Sequence, residues 1–189
     1  MRTASVLLVL SAAGVYLVYG TLADLAPDSV CEGTGRQVDR LKGYGVLGSR
    51  PPGTVVPRGF EDLEAGCWED SGESWLFAER TYVSPGSRAE VTAHYRAAAE
   101  RDGWEPSRGT RRSAKDVRQT SLCFTREGAD QAGGADGAGG TATLDVYFLT
   151  TEILAAEDSA PGPEFRSGAG YRVSVTAAAD GSGAGGCSD

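Results

Sequence analysis

The feature that most constrains this chain is its opening stretch. From Thr3 to Ala23 no residue carries a charge, and the run from Ala4 to Tyr19 is almost wholly apolar. At about 1.5 Å of rise per residue, a helix of this length just crosses a hydrocarbon core of about 30 Å. Inside lipid the backbone has to satisfy its own hydrogen bonds, which makes the segment helical there. Tyr16 and Tyr19, near its far end, suit the membrane interface. Arg2 precedes the segment, while Asp24 and Asp28 follow it. Positive flanks stay in the cytoplasm, so the remaining bulk is directed outward. A helix of a soluble core would need a polar face, and this one has none. Residues 1–23 are therefore expected to form a single-pass transmembrane signal anchor, with the fold extracellular. A secreted, cleaved form is the alternative, because Thr21-Leu22-Ala23 is an acceptable cleavage site before Asp24. Lipid attachment is excluded, since Asp28-Ser29-Val30 before Cys31 is not the small apolar run that it requires.

That address sets the reading of the cysteines. Cys31, Cys67, Cys123 and Cys187 all follow the apolar segment, and an even count in an oxidising compartment reads as two disulfides. Zinc would need close pairs such as Cys-x-x-Cys, whereas these are separated by 36, 56 and 64 residues. Three pairings are possible. An edge shared by the start of the first strand and the end of the last favours Cys67 with Cys187, and hence Cys31 with Cys123.

Charge narrows the partners. The chain has 18 basic and 26 acidic residues, a formal net charge of −8. Nucleic acid and anionic lipid are bound by neutralising phosphates with Lys and Arg, so no nucleic-acid partner is expected. The membrane, through the N-terminal helix, and an unidentified envelope component are the expected partners.

Local patterns then outline a domain. Residues 24–66 are dense in Gly and Pro, with Pro51-Pro52-Gly53 breaking any regular element, and read as an arm leading from the membrane. A short strand or turn is expected near Val46-Leu47 and Val55-Val56. Ser74 to Val83 is rich in aromatic and β-branched residues and reads as a strand. Ser87 followed by Glu90 is a capping box, Val91, Tyr95, Ala98 and Ala99 share one face, and Gly103 is placed to end the turn; a helix is expected over 87–102. Trp104 should pack beneath it, and Pro106 should keep the next strand short or at an edge. Gln119 to Arg126 follows as a strand with Leu122 and Phe124 on one face and Cys123 on the other. The Gly/Ala/Asp run 128–140 reads as a loop. Thr141 to Leu149 presents Leu144, Val146 and Phe148 inward, and Tyr171 to Ala177 presents Tyr171, Val173 and Val175. The organisation expected is a membrane segment 1–23, an arm 24–66, a domain 67–180 and a slack tail 181–189 held by Cys187. The domain should be α+β, a two-layer sandwich of one helix on a four- to five-stranded, mostly antiparallel sheet.

No residue pattern brings chemistry with it. His94 is the sole histidine and lies mid-helix, with no nucleophile or orienting acid marked by sequence. Gly72-Glu73-Ser74-Trp75-Leu76 lacks the last glycine of a nucleophile elbow. Glu69, Asp70 and Glu73 lack the alternating spacing of a calcium loop and read as a solvated turn. The glycine-rich stretches lack the Gly-Lys-Ser/Thr of a phosphate loop. The basic stretch Arg108, Arg111, Arg112, Lys115, Arg118 suits an anionic wall polymer or, more simply, a solvated loop. No catalytic, cofactor or metal residue is assigned.

Cys67 with Asp70-Ser71-Gly72, then His94-Tyr95-Arg96, Asp102-Gly103-Trp104 and Leu122-Cys123-Phe124, resembles uncharacterised actinobacterial envelope proteins over roughly residues 67–180. A GC-rich genome fits the composition, since Lys42 and Lys115 are the only lysines and Ala and Gly abound. The resemblance implies a small membrane-anchored or secreted domain with a helix on a sheet, and implies no activity. The function expected is a membrane-tethered extracytoplasmic domain with a non-enzymatic binding or envelope-support role. The alternative is a cell-envelope hydrolase whose site the sequence does not mark.

Overall fold

The computed structural model describes residues 31–70, 72–112, 121–128, 140–157, 162–181 and 187. The apolar segment 1–23, most of the 128–140 loop, residues 113–118 of the basic stretch and most of the tail lie outside the described residues. Among those described, no helix is long and apolar enough to cross a membrane.

Helix α1 (Gly35–Lys42) and the single turn α2 (Gly45–Gly48) come first. Val38 and Leu41, three apart, point inward from α1, and Arg40 and Lys42 sit in its last turn where the helix dipole favours cations. Val46 and Leu47 in α2 are completely buried. Of the short strand or turn expected near Val46-Leu47 and Val55-Val56, the first is a single helical turn and not a strand, while Val55 makes an isolated antiparallel bridge to Val83. Glycine and proline punctuation hid two short helices, and the core reaches back to Val38.

The chain then runs β1 (Glu64–Asp70), β2 (Glu73–Ser84), α3 (Arg88–Arg101), β3 (Glu105–Pro106), α4 (Arg108–Arg112), β4 (Ser121–Arg126), β5 (Ala142–Phe148), α5 (Thr151–Ala156), a 3-10 turn (Pro163–Arg166) and β6 (Ala169–Ala178). The strands form one sheet of order β1-β2-β6-β5-β4-β3, every neighbouring pair antiparallel. The class is α+β, as expected, but with six strands in place of four or five. Helix α3 carries the chain from β2 to the far edge at β3. The later strands return as a meander, so the last strand slots between β2 and β5.

Helix α3 follows its sequence signals closely. The Glu90 backbone N–H donates to Ser87 Oγ and the Ser87 N–H donates to the Glu90 carboxylate, completing the capping box. At the other end Gly103 has φ 76°, its N–H donates to Glu100 O, and the Trp104 N–H reaches back to Ala99 O, a Schellman turn. Val91, Tyr95, Ala98 and Ala99 are all buried. Trp104 is buried against Tyr44, ring centroids 5.2 Å apart, and β3 is a two-residue edge strand that ends on Pro106.

The core lies between this helical layer and the inner face of the sheet. Leu76, Ala78 and Tyr82 of β2, Leu122 and Phe124 of β4, Leu144, Val146 and Phe148 of β5, and Tyr171, Val173 and Val175 of β6 all meet there. Tyr171 stands at its centre, with the rings of Tyr82, Tyr95 and Phe148 at 5.7, 5.6 and 6.4 Å.

All four cysteines are oxidised, as in domains that fold outside the reducing cytoplasm. The pairs are Cys31–Cys67 and Cys123–Cys187, which overturns the pairing favoured from sequence. The reason is topological. β6 is an interior strand, so its end shares no edge with β1. Cys67 packs against the inner core, whereas Cys123 alternates with the inward Leu122 and Phe124 and lies on the outer face.

Candidate functional site

The outer face of the sheet gathers the polar and aromatic residues that the core excludes. Along β2 it receives Trp75, Phe77, Glu79 and Thr81, which alternate with the inward Leu76, Ala78 and Tyr82. The strand register sets their neighbours. Trp75 lies opposite Trp68, Phe77 opposite Gly66 and Glu79 opposite Glu64. On the other side Glu79 faces Ser174, which faces Asp145, which faces Cys123.

At the β1–β2 hairpin end, Trp68 and Trp75 lie with ring centroids 6.5 Å apart and planes inclined by 32°. Trp68 is 46 % exposed. The last hairpin pair is Asp70 with Glu73, and Gly72 between them takes φ 87°, which an L side chain rarely adopts. Of the acidic trio, read from sequence as a solvated turn ahead of the first strand, Glu69 and Asp70 instead end β1 and Glu73 opens β2, all three exposed; a Glu69 carboxylate oxygen accepts the Cys31 N–H at 3.0 Å. Farther along the same face, Phe60, Asp62, Glu64, Glu79 and Thr81 line a shallow surface depression with no enclosed space.

Beside the depression lies Arg172, only 8 % exposed. Its guanidinium donates to both carboxylate oxygens of Glu157 at 3.0 and 2.7 Å, to Thr81 Oγ1 at 3.2 Å and to the Tyr147 hydroxyl at 3.1 Å, and it lies 3.3 Å from Glu79. Burial opposes the guanidinium charge, but the hydrogen bonds to Glu157 and the surrounding acidic groups outweigh it, so its pKa is raised. The bidentate pair fastens the residue that caps α5 to the sheet. Burial pushes the Tyr147 hydroxyl up to about 12. Glu79 is also pushed upward by burial, only partly offset by Arg172.

Asp145 is the odd group in this row. Burial raises its carboxyl to about 6, and it has no ion-pair or hydrogen-bond partner among the described residues. Two carboxylates of raised pKa thus flank Ser174 with one strand between them. That separation is on the order of two strand spacings, about 9–10 Å between backbones. Glu79 is held by Arg172, so the two do not converge on a common point as acid and base.

His94 sits on the opposite side of the sheet. Its Nε2 is 2.9 Å from Ser49 Oγ, a contact that joins two residues 45 positions apart. Burial, and behind it the charge of Arg101, holds the imidazole below its ordinary pKa. Among the described residues no carboxylate orients the other ring nitrogen, and the Ser49 N–H is already bonded to Val46 O. The Ser49 carbonyl in turn accepts the Tyr95 hydroxyl. The sequence marked His94 alone, because its neighbour comes from the segment read as an arm. Within the basic stretch, Arg108 and Arg111 lie in α4 and are exposed. Among the described residues no group of three or more His, Cys, Asp or Glu is arranged to hold a metal ion.

The Trp68–Trp75 pair was missed from sequence as a site. Both residues were visible, but only the pairing of β1 with β2 brings them onto one surface. No protein family, curated protein or solved structure matches this chain.

Proposed function

We propose that this chain is a membrane-tethered, extracytoplasmic binding domain of an actinobacterial-type cell envelope, anchored by residues 1–23 and engaging its partner through the outer face of the β1–β2 hairpin. The exposed Trp68, tilted against Trp75, is the observation that carries this reading. A soluble domain gains stability by covering large aromatic rings, and rings left open at a rigid hairpin are the usual anchors of interfaces. The oxidised cysteines support the extracytoplasmic address, and the apolar N-terminal segment supports the tether. The shallow face suits recognition better than catalysis, which works in a concave, water-poor site.

The experiment uses the full chain in its membrane. Protease added to intact cells should degrade residues beyond the anchor, and chemical cross-linking on whole cells should join the protein to an envelope component. Trp68→Ala should cut that cross-linking at least 5-fold while the protein still unfolds in one cooperative thermal transition. Protection from external protease, or cross-linking indifferent to Trp68, would sink the proposal.

The Ser49–His94 contact supports a second reading, an envelope hydrolase with Ser49 as nucleophile and neutral His94 as base. A serine-directed fluorophosphonate should then label the protein at Ser49, and His94→Gln should abolish the labelling. An unlabelled protein that still cross-links through Trp68 would leave the binding reading alone.

A further inference from the structure

The outer edge of β1 runs beside the aromatic pair, and we infer that it takes up an extended partner segment with a cationic residue two positions to either side of a bulky apolar one. This inference rests on the binding role proposed above. β1 is the terminal strand of the sheet. From Glu64 to Trp68 its backbone bonds only to β2 among the described residues. Such an edge presents a row of N–H and C=O groups that a second extended chain can complete.

Register dictates what that chain must carry. Strand side chains alternate, so every second residue of an added segment faces the outer surface. There β1 offers Trp68, Gly66 and Glu64 in turn. The open face of Trp68 attracts a cation through its ring. At Gly66 the missing side chain lets Phe77 lean over the backbone, since a Cβ built there would stand 3.2 Å from Phe77 Cε1. That ring already covers Gly66, so a bulky apolar residue at the facing position of the adjoining strand would pack against the Phe77 ring edge. Glu64 and Asp62 rim the depression, and neither has a cationic partner among the described residues. The residue that faces them is therefore Lys or Arg. The pattern reads the same in both directions, so parallel and antiparallel addition satisfy it equally.

The probe is a blocked heptapeptide, Thr-Lys-Thr-Leu-Thr-Arg-Thr, titrated into the purified full chain in detergent while tryptophan emission is followed. Saturable change is expected, with slowed amide exchange confined to residues 64–68 and their β2 partners. A peptide with Glu at both charged positions should bind at least 10-fold more weakly. Glu64→Lys should bind the Glu peptide more tightly than the unaltered chain does and narrow the gap between the two peptides, a gain that a misfolded variant cannot produce. Equal binding of the two peptides, absence of binding by both, or exchange protection elsewhere would overturn the inference. If Trp68-dependent cross-linking on cells persists in that event, the binding role stands and only the partner chemistry is wrong; if both fail, the two fall together.

Discussion

At the residue scale, two positions show forces that composition hides. Asp145 has a folded-state pKa of about 6 against an ordinary 3.8, because burial penalises its charge without a compensating partner among the described residues. Between those pH values the native protein holds a proton that the unfolded chain has released. Its contribution to stability is therefore greatest below about pH 4 and is lost as pH rises through 6. Asp145→Asn should stabilise the fold at pH 8 by about 1–2 kcal/mol, allowing for the carboxyl's partial exposure, and flatten the urea midpoint between pH 4 and 7. An unchanged midpoint at pH 8 would mean that Asp145 is well solvated. Gly168 shows a steric limit. A Cβ there would stand 2.3 Å from the backbone oxygen of Ser84, so the turn into β6 needs glycine whatever its φ. Gly168→Ala should lower stability by about 1–3 kcal/mol in denaturant unfolding, with Gly109→Ala, where only the Ser107 hydroxyl is near, as a milder control.

At the element scale, helix α3 and helix α2 make opposite cases. α3 was legible to the residue: cap, apolar face and glycine stop are local signals, each acting within a turn of its own position. α2 was not. Gly45-Val46-Leu47-Gly48 is too short for a period, and its flanking glycines argue against a helix. What holds it is burial. Leu47 is 1 % exposed, and its carbonyl accepts the Tyr82 hydroxyl at 2.7 Å. Leu47→Ala should cost about 2–5 kcal/mol, as for a leucine of a packed core. A loss under 1 kcal/mol in thermal unfolding would return residues 45–48 to the status of a loose arm. The β1–β2 hairpin falls between these cases. Its turn is marked by Gly72, but the meeting of Trp68 with Trp75 depends on the register of two strands.

At the scale of the whole molecule, the disulfides and the sheet order decide the outcome. Cys31–Cys67 closes a separation of 36 residues and Cys123–Cys187 one of 64. On loop-entropy grounds each should stabilise the fold by about 4 kcal/mol. Serine replacement of both members of one pair should lower the denaturation midpoint accordingly, and a non-reducing peptide map should recover these two pairs alone; Cys67 linked to Cys187 would refute the topology. The number and oxidation of the cysteines followed from the address, but their partners did not, because partnership depends on which face and which edge each strand occupies. The same division holds throughout. The sequence by itself determined the class, the inward residues of β4, β5 and β6, and helix α3, since hydrophobic alternation and capping act between near neighbours. Only the tertiary structure decided that the last strand lies inside the sheet, that Ser49 meets His94, and that two tryptophans share a surface. Those contacts join residues far apart in the chain, and their energy exists only once the backbone between them has closed.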